Sequence, residues 1–303
     1  MKNSINRIFG TFNRLKISYL IRGRYKHLPD VLDGGDVDLL IKQDDIKKAK
    51  EIIRREGFRH YPYTQPNLFY LKYDKSLGLI LLDVLPASRF PEVKKHKTFF
   101  IPKDDNKIPN KKPFLHKIYT GIRRRAYFLF RGPLIIFEGP DGSGKTTNAK
   151  ALYESLKRFP MKKEFIHFAT PFKKDGAKPS SFDRARTRMT AIIKVWKNRI
   201  LGRLTITDRY IYLTFRKKPF LRDLIRTLAP KPNALFLMKA DVKTIRKRKE
   251  GQRDQLSEEM IKELYKVYED VRGIKIIEID TKKPIDKNLE RITNLVLEIC
   301  CRK

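Results

Sequence analysis

The sequence predicts an α/β protein with a five-stranded, mostly parallel sheet in its second part, preceded by a small α+β domain. Three observations carry that expectation. Short apolar runs alternate with helical patterns from about residue 132 onward. A glycine-rich stretch, FEGPDGSGKTT, lies between the first of those runs and the first of those helices. Upstream, four strand-like runs surround one amphipathic helical pattern. The expected division is residues 1–100 as one domain, 101–131 as a basic, proline-containing connector, and 132–303 as a second domain.

In the second domain LIIFEG (134–139) is a buried strand, and GKTTNAKALYESLKRF opens a helix directly after the glycine loop. EFIHFAT (164–170), RLTITD (203–208), ALFLMKA (234–240) and IKIIEID (274–280) complete five strands. The helical patterns RARTRMTAIIKVWKNRI, LSEEMIKELYKVYEDV and NLERITNLVLEICC fall between or after them. Strand–helix alternation of this kind implies a parallel sheet with helices on both faces, and ligands at the carboxyl ends of the strands. In the first domain ISYLIRG (17–23), DVDLLIK (36–42), LFYLKYD (68–74) and GLILLDVLP (78–86) are strand candidates. DDIKKAKEIIRREG is a helix with acidic residues at its start and Gly57 at its end, placing Ala49, Ile52 and Ile53 on one face. Pro86, Pro91, Pro102, Pro109 and Pro113 then interrupt the chain before RRRAYFLFR, which suits a solvated or basic amphipathic linker helix.

Composition excludes several classes. The longest apolar stretches are strand-sized, far from the roughly 20 residues that span a bilayer. The basic N-terminal MKNSINRIFGTFNRLK lacks an apolar core and a cleavage site, so no secretory signal is expected. The two cysteines, Cys300 and Cys301, are adjacent and unsuited to an ordinary bridge, which suggests a reducing, cytoplasmic setting. Net charge is +35, shared between 29 Lys/Arg against 13 Asp/Glu in residues 1–131 and 40 against 21 in residues 132–303. Such a charge implies a polyanionic partner, nucleic acid or an anionic membrane surface. The alternative is a lysine-rich composition serving phosphorylated substrates, since no nucleic-acid-binding module accompanies the charge.

Gly139-Pro140-Asp141-Gly142-Ser143-Gly144-Lys145-Thr146 satisfies GxxxxGK[ST] and sits between a strand and a helix, where its mechanism requires it. Glycines let backbone N–H groups close around phosphate oxygens, and the helix N-terminus adds positive potential. Lys145 is suited to the β- and γ-phosphates and the Thr146 hydroxyl to Mg²⁺. Thr147 follows in the first turn.

The stretch FEGPDGSGKTT resembles the loop of the thymidylate kinase family, FEGxDGxGKTT. Thr207-Asp208-Arg209-Tyr210 resembles that family's DRY element, and FLMKADVKTIRKRKEGQRD its strand leading into a mobile lid. The resemblance covers residues 133–303 and implies a P-loop nucleotide kinase using ATP and Mg²⁺. It implies that Asp208 orients the Mg²⁺–phosphate group and that Arg209 contacts the transferring phosphoryl. Asp141 would face the acceptor, Arg188 would hold the acceptor phosphate, Arg248 would stack near adenine, and Arg253 would serve as a lid arginine. A homodimer is also implied, although no residue here is diagnostic of one. One departure bears on substrate. The family's REPGG loop is replaced by HFATPFKKDGAKPSS, which puts thymidylate itself in question. Lys173-Lys174-Asp175-Gly176 matches the KxDG of adenylylating ligases, but a four-residue match in a polar, lysine-rich loop carries little.

In the first domain Asp36 and Asp38 stand two apart on a strand and so share a face, and Asp83 lies within an apolar strand. A carboxylate there is costly unless paired or metal-bound, and three of them suit Mg²⁺. With Gly23 upstream, this order resembles the polymerase-beta-type nucleotidyltransferases. Arg24 departs from the small residue that cradles a triphosphate there. The whole chain resembles fusions of such a domain with a thymidylate-kinase-like domain. The expected function is transfer of the ATP γ-phosphate to a nucleotide or small phosphorylated metabolite. The alternative is a kinase and nucleotidyltransferase acting on RNA or DNA ends.

Overall fold

A computed structural model describes residues 3–22, 28, 36–61, 68–87, 129–169, 179–211, 225–250, 256–269, 271 and 273–301. It forms two compact units, Met1–Ala126 with Thr293–Lys303, and Tyr127–Ile292. The sequence-based division ran the second domain to residue 303. In the structure the residues from Thr293 onward group with the first unit, where Glu298 Oε1 accepts from Arg59 Nη2 and Asn294 Oδ1 accepts from Tyr73 N–H at 3.3 Å.

The first unit contains α1 (Ser4–Arg14), β1 (Tyr19–Arg22), β2 (Val37–Ile41), α2 (Ile46–Arg55), β3 (Arg59–His60), β4 (Leu68–Asp74) and β5 (Gly78–Pro86). Its five-stranded sheet has the order β1-β2-β5-β4-β3. The β2–β5 pair is parallel and the other three are antiparallel. Four of the strands lie within the predicted runs. β3 has two residues, too few to show an alternation in sequence. Asn3 caps α1 by accepting the Asn6 N–H at 2.9 Å. The apolar faces of α1 (Ile5, Ile8, Phe12) and α2 (Ala49, Ile52, Ile53) pack with Val37, Leu39, Ile41, Ile80, Leu82 and Val84 of the sheet. Side chains alternate along a strand, so Leu20, Leu40 and Leu85 cluster on the other face. Asp38 and Asp83 share that second face.

The second unit contains β6 (Leu134–Glu138), α3 (Lys145–Ser155), β7 (Lys163–His167), α4 (Ser181–Ile200) and β8 (Leu204–Asp208). There follow β9 (Ala234–Lys239), α5 (Val242–Arg248), α6 (Glu258–Glu269), β10 (Ile276–Asp280) and α7 (Ile285–Cys300), which extends past Ile292. All five predicted strands form, in the order β10-β9-β6-β8-β7, and every pair is parallel. β6 is buried at each residue, as a continuous apolar run in a parallel sheet should be. Leu134 and Ile136 pack on one face with Val195 of α4 and Tyr268 of α6, while Ile135 and Phe137 bury on the other. The chain leaves β6 for the edge strand β7 and returns to β8 on one side, then crosses to β9 on the other. Its neighbours therefore diverge at the carboxyl end of β6, the position at which such sheets open a crevice. Among the described residues no helix is long and apolar enough to cross a membrane.

Candidate active site

The carboxyl end of β6 runs straight into the glycine loop. Gly139 has φ 139°, and a Cβ there would stand 2.7 Å from the Met238 carbonyl oxygen and 2.8 Å from Ser143 Oγ. The turn out of the strand thus excludes any side chain. Gly144, with φ 89°, is the N-cap of α3, so the loop delivers the first free N–H groups of that helix to the crevice.

Lys145 is buried to 5% exposure and its Nζ donates to the Pro140 carbonyl at 2.7 Å and to Asp141 Oδ1 at 3.1 Å. The same Asp141 oxygen accepts from Arg209 Nη2. Asp141 is therefore a carboxylate held between two cations at the mouth of the glycine loop. Burial pushes its pKa up, but Lys145 and Arg209 outweigh that and hold it below its ordinary value. Burial lowers the Lys145 pKa, with Asp141 opposing. Arg209 adopts a left-handed backbone, φ 68°, rare for a residue with a side chain. That turn ends β8, and the arginine's head group reaches Asp141.

Asp208 closes β8, fully buried. Its Oδ2 accepts from Thr146 Oγ1 at 2.6 Å and lies 2.9 Å from His167 Nδ1, and its Oδ1 is buried with no hydrogen-bond partner among the described residues. Glu138, also fully buried, accepts from Tyr210 N–H at 2.7 Å and from the Tyr268 hydroxyl at 2.8 Å. Burial pushes the Glu138 carboxyl up to about 7, against the opposing Tyr268 hydroxyl and Lys145. The Tyr268 hydroxyl is pushed up by burial and by the Glu138 charge.

A cleft of about 510 Å³ is lined by Asp141, Gly142, Gly144 to Thr147, Arg209, Arg248 and Thr281 to Lys283. Arg248 spans it, donating from Nη1 to the Gly142 carbonyl at 3.3 Å and from Nη2 to the Thr281 carbonyl at 2.8 Å. Arg188 lies on α4 one turn before the buried Ala191 and Ile192, half-buried, with its pKa pushed down by burial and by the neighbouring Arg184.

The structure therefore gathers Gly139, Asp141, Gly142, Ser143, Gly144, Lys145, Thr146, Thr147, Asp208, Arg209 and Arg248 at one crevice. Arg253, Gly23, Arg24 and Lys173 to Gly176 lie outside the described residues. Of the three carboxylates expected to hold metal in the first unit, the structure brings two together. The parallel register sets Asp38 beside Asp83, but Asp36 precedes β2 and is exposed. Among the described residues no group of three or more His, Cys, Asp or Glu is placed to hold a metal ion. Sequence reasoning missed Glu138, His167 and Tyr268. A carboxylate closing a fully apolar strand was the available signal for Glu138; His167 and Tyr268 had none.

No family model and no curated protein matches this chain. Among solved structures it is similar to a thymidylate kinase from Candida albicans, at 20% identity and a TM-score of 0.42, over 55% of this chain and 92% of that one.

Proposed function

We propose that the second unit is an ATP- and Mg²⁺-dependent phosphotransferase of the nucleoside-monophosphate kinase type. It would pass the γ-phosphoryl group to a nucleotide or another small phosphorylated metabolite. The observation that carries this reading is the convergence of Lys145, Thr146, Asp208 and Arg209 on a glycine loop at the switch point of a parallel sheet.

The fold implies Mg²⁺, and the donor set suits it. Thr146 Oγ1 and Asp208 Oδ2 are 2.6 Å apart, and Asp208 Oδ1 is buried without a partner. These are hard oxygen donors of the kind that hold Mg²⁺ beside substrate phosphates, with few protein ligands. When bound, the ion neutralises charge on the β- and γ-phosphates.

The chain's own residues supply the rest. Loop N–H groups and the start of α3 bind phosphate oxygens. Lys145 gives up its bonds to Pro140 and Asp141 to reach the β/γ-phosphates, and Arg209 turns toward the transferring group. Release of both cations leaves Asp141 free to accept from an acceptor hydroxyl, with Arg188 on the acceptor phosphate. Arg248, already bridging loop and far wall, flanks the donor base, and Arg253, outside the described residues, is the proposed lid arginine. Exclusion of water by a lid would favour transfer to the acceptor over hydrolysis.

For the first unit we propose a nucleotidyltransferase-like domain, supported by its mixed sheet with both helices on one face and Asp38 beside Asp83 on the other. A second reading of the whole chain, phosphorylation of nucleic-acid ends, is favoured by the net charge of +35. A cytoplasmic setting is supported by Cys300 and Cys301, both free and buried.

The deciding experiment is an acceptor screen with γ-labelled ATP and Mg²⁺, covering deoxy- and ribonucleoside monophosphates, sugar phosphates and 5′-hydroxyl RNA. Lys145→Ala is the control. Label on a monophosphate or sugar phosphate supports the metabolite kinase, label on RNA alone supports the second reading, and no transfer in any arm counts against both.

A further inference from the structure

His167 closes β7 as Asp208 closes β8, and the parallel register sets the two residues side by side. His167 Nδ1 lies 2.9 Å from Asp208 Oδ2, the same oxygen that accepts Thr146 Oγ1–H at 2.6 Å. A carboxylate only accepts, so the proton of this contact belongs to His167 Nδ1. The histidine side chain is 46% exposed while that of Asp208 is fully enclosed.

The geometry has a consequence for Asp208. The terminal torsion of an aspartate is broad, and one hydrogen bond leaves its plane free to swing. Two donors from different elements, α3 and β7, converge on Oδ2 and hold it. The remaining oxygen, Oδ1, is buried without a partner. We infer that His167 is a positioning residue for the divalent cation of the nucleotide complex: its Nδ1–H fixes the Asp208 carboxylate so that its oxygens and the Thr146 hydroxyl present a ready donor set. This rests on the phosphotransferase reading of the same site. It assigns His167 no contact with substrate, and it explains why a polar ring closes a strand whose partner ends in the site's buried acid.

The test separates cation-dependent from cation-independent binding. Affinity for a non-hydrolysable ATP analogue is measured by calorimetry with Mg²⁺ and with chelator, for the unaltered protein, His167→Ala and His167→Asn. Asparagine can place a side-chain N–H near the position of Nδ1–H. Loss of a group that orients a metal ligand weakens metal-dependent affinity about 10-fold or more, so the Mg²⁺-dependent gain should fall by that factor in His167→Ala. The affinity in chelator should stay within about twofold, and His167→Asn should recover most of the gain. Thermal unfolding confirms that each variant is folded. An unchanged gain in His167→Ala overturns the positioning role, as does equal weakening with and without Mg²⁺, which marks a structural one. An unaltered protein that binds no nucleotide in either condition overturns the phosphotransferase reading and this inference together.

Discussion

Glu138 shows what a single buried residue contributes at this site. Its carboxylate has no solvent exposure, and its two bonds reach Tyr210 and Tyr268, the second 130 positions away. Because its folded value is raised from 4.5 to about 7, its contribution to stability is complete below 4.5 and is lost as pH rises through 7. Glu138→Gln keeps an acceptor for Tyr210 N–H and a partner for Tyr268. The variant should therefore lose less stability than the unaltered protein between pH 5 and pH 7.5, which urea titrations at several pH values would show; parallel profiles would refute the assignment. Lys145 acts at the same scale. Removing it takes away the cation proposed for the β/γ-phosphates and leaves Asp141 with Arg209. Lys145→Ala should lower phosphoryl transfer by at least about 100-fold with the fold retained; transfer near the original rate would place the chemistry elsewhere.

At the scale of elements, the helix α4 is fixed by a capping box. Ser180 Oγ accepts the Asp183 N–H at 3.1 Å, and Asp183 Oδ2 accepts the Ser180 N–H at 3.0 Å. Ser180→Ala should cost about 1 kcal/mol, lowering Tm by about 2–4 °C; scanning calorimetry would read this, and an unchanged Tm would mean the box contributes nothing. The same element illustrates how legible a helix is. Its run RARTRMTAIIKVWKNRI announced itself by spacing, whereas the start at Ser181 depended on a short-range polar exchange preceding that pattern. Strands were legible for a similar reason. Five apolar runs became five strands, because a parallel sheet buried on both faces requires apolar residues in succession. β3 escaped because two residues cannot display a period.

For the molecule as a whole, charge and division of labour are the properties to test. The net charge of +35 is spread along the chain, so binding to polynucleotide would fall steeply with salt through counterion release. Transfer to a monomeric acceptor would depend on local contacts and vary far less. If the two units carry separate activities, Asp36→Ala combined with Asp38→Ala should leave phosphoryl transfer within about twofold, well under the tenfold that 1.4 kcal/mol represents. Loss of transfer in a folded double variant would mean that the two sites are not independent. The expected carboxylate triad of the first unit belongs here too. Spacing correctly set Asp36 and Asp38 two residues apart, but β2 begins at Val37 and leaves Asp36 outside the paired strand.

By itself the sequence determined the glycine loop, its place between strand and helix, the DRY element and the five-strand rhythm. All of these are local patterns of residue type, written in neighbouring positions. Tertiary structure alone decided that His167 meets Asp208, that Tyr268 meets Glu138 and that Arg248 meets Thr281. Those contacts follow from the strand order β10-β9-β6-β8-β7, which brings the ends of distant segments to one edge. Local periodicity sets which faces are apolar; strand order sets which polar ends become neighbours, and the candidate chemistry lies in the second.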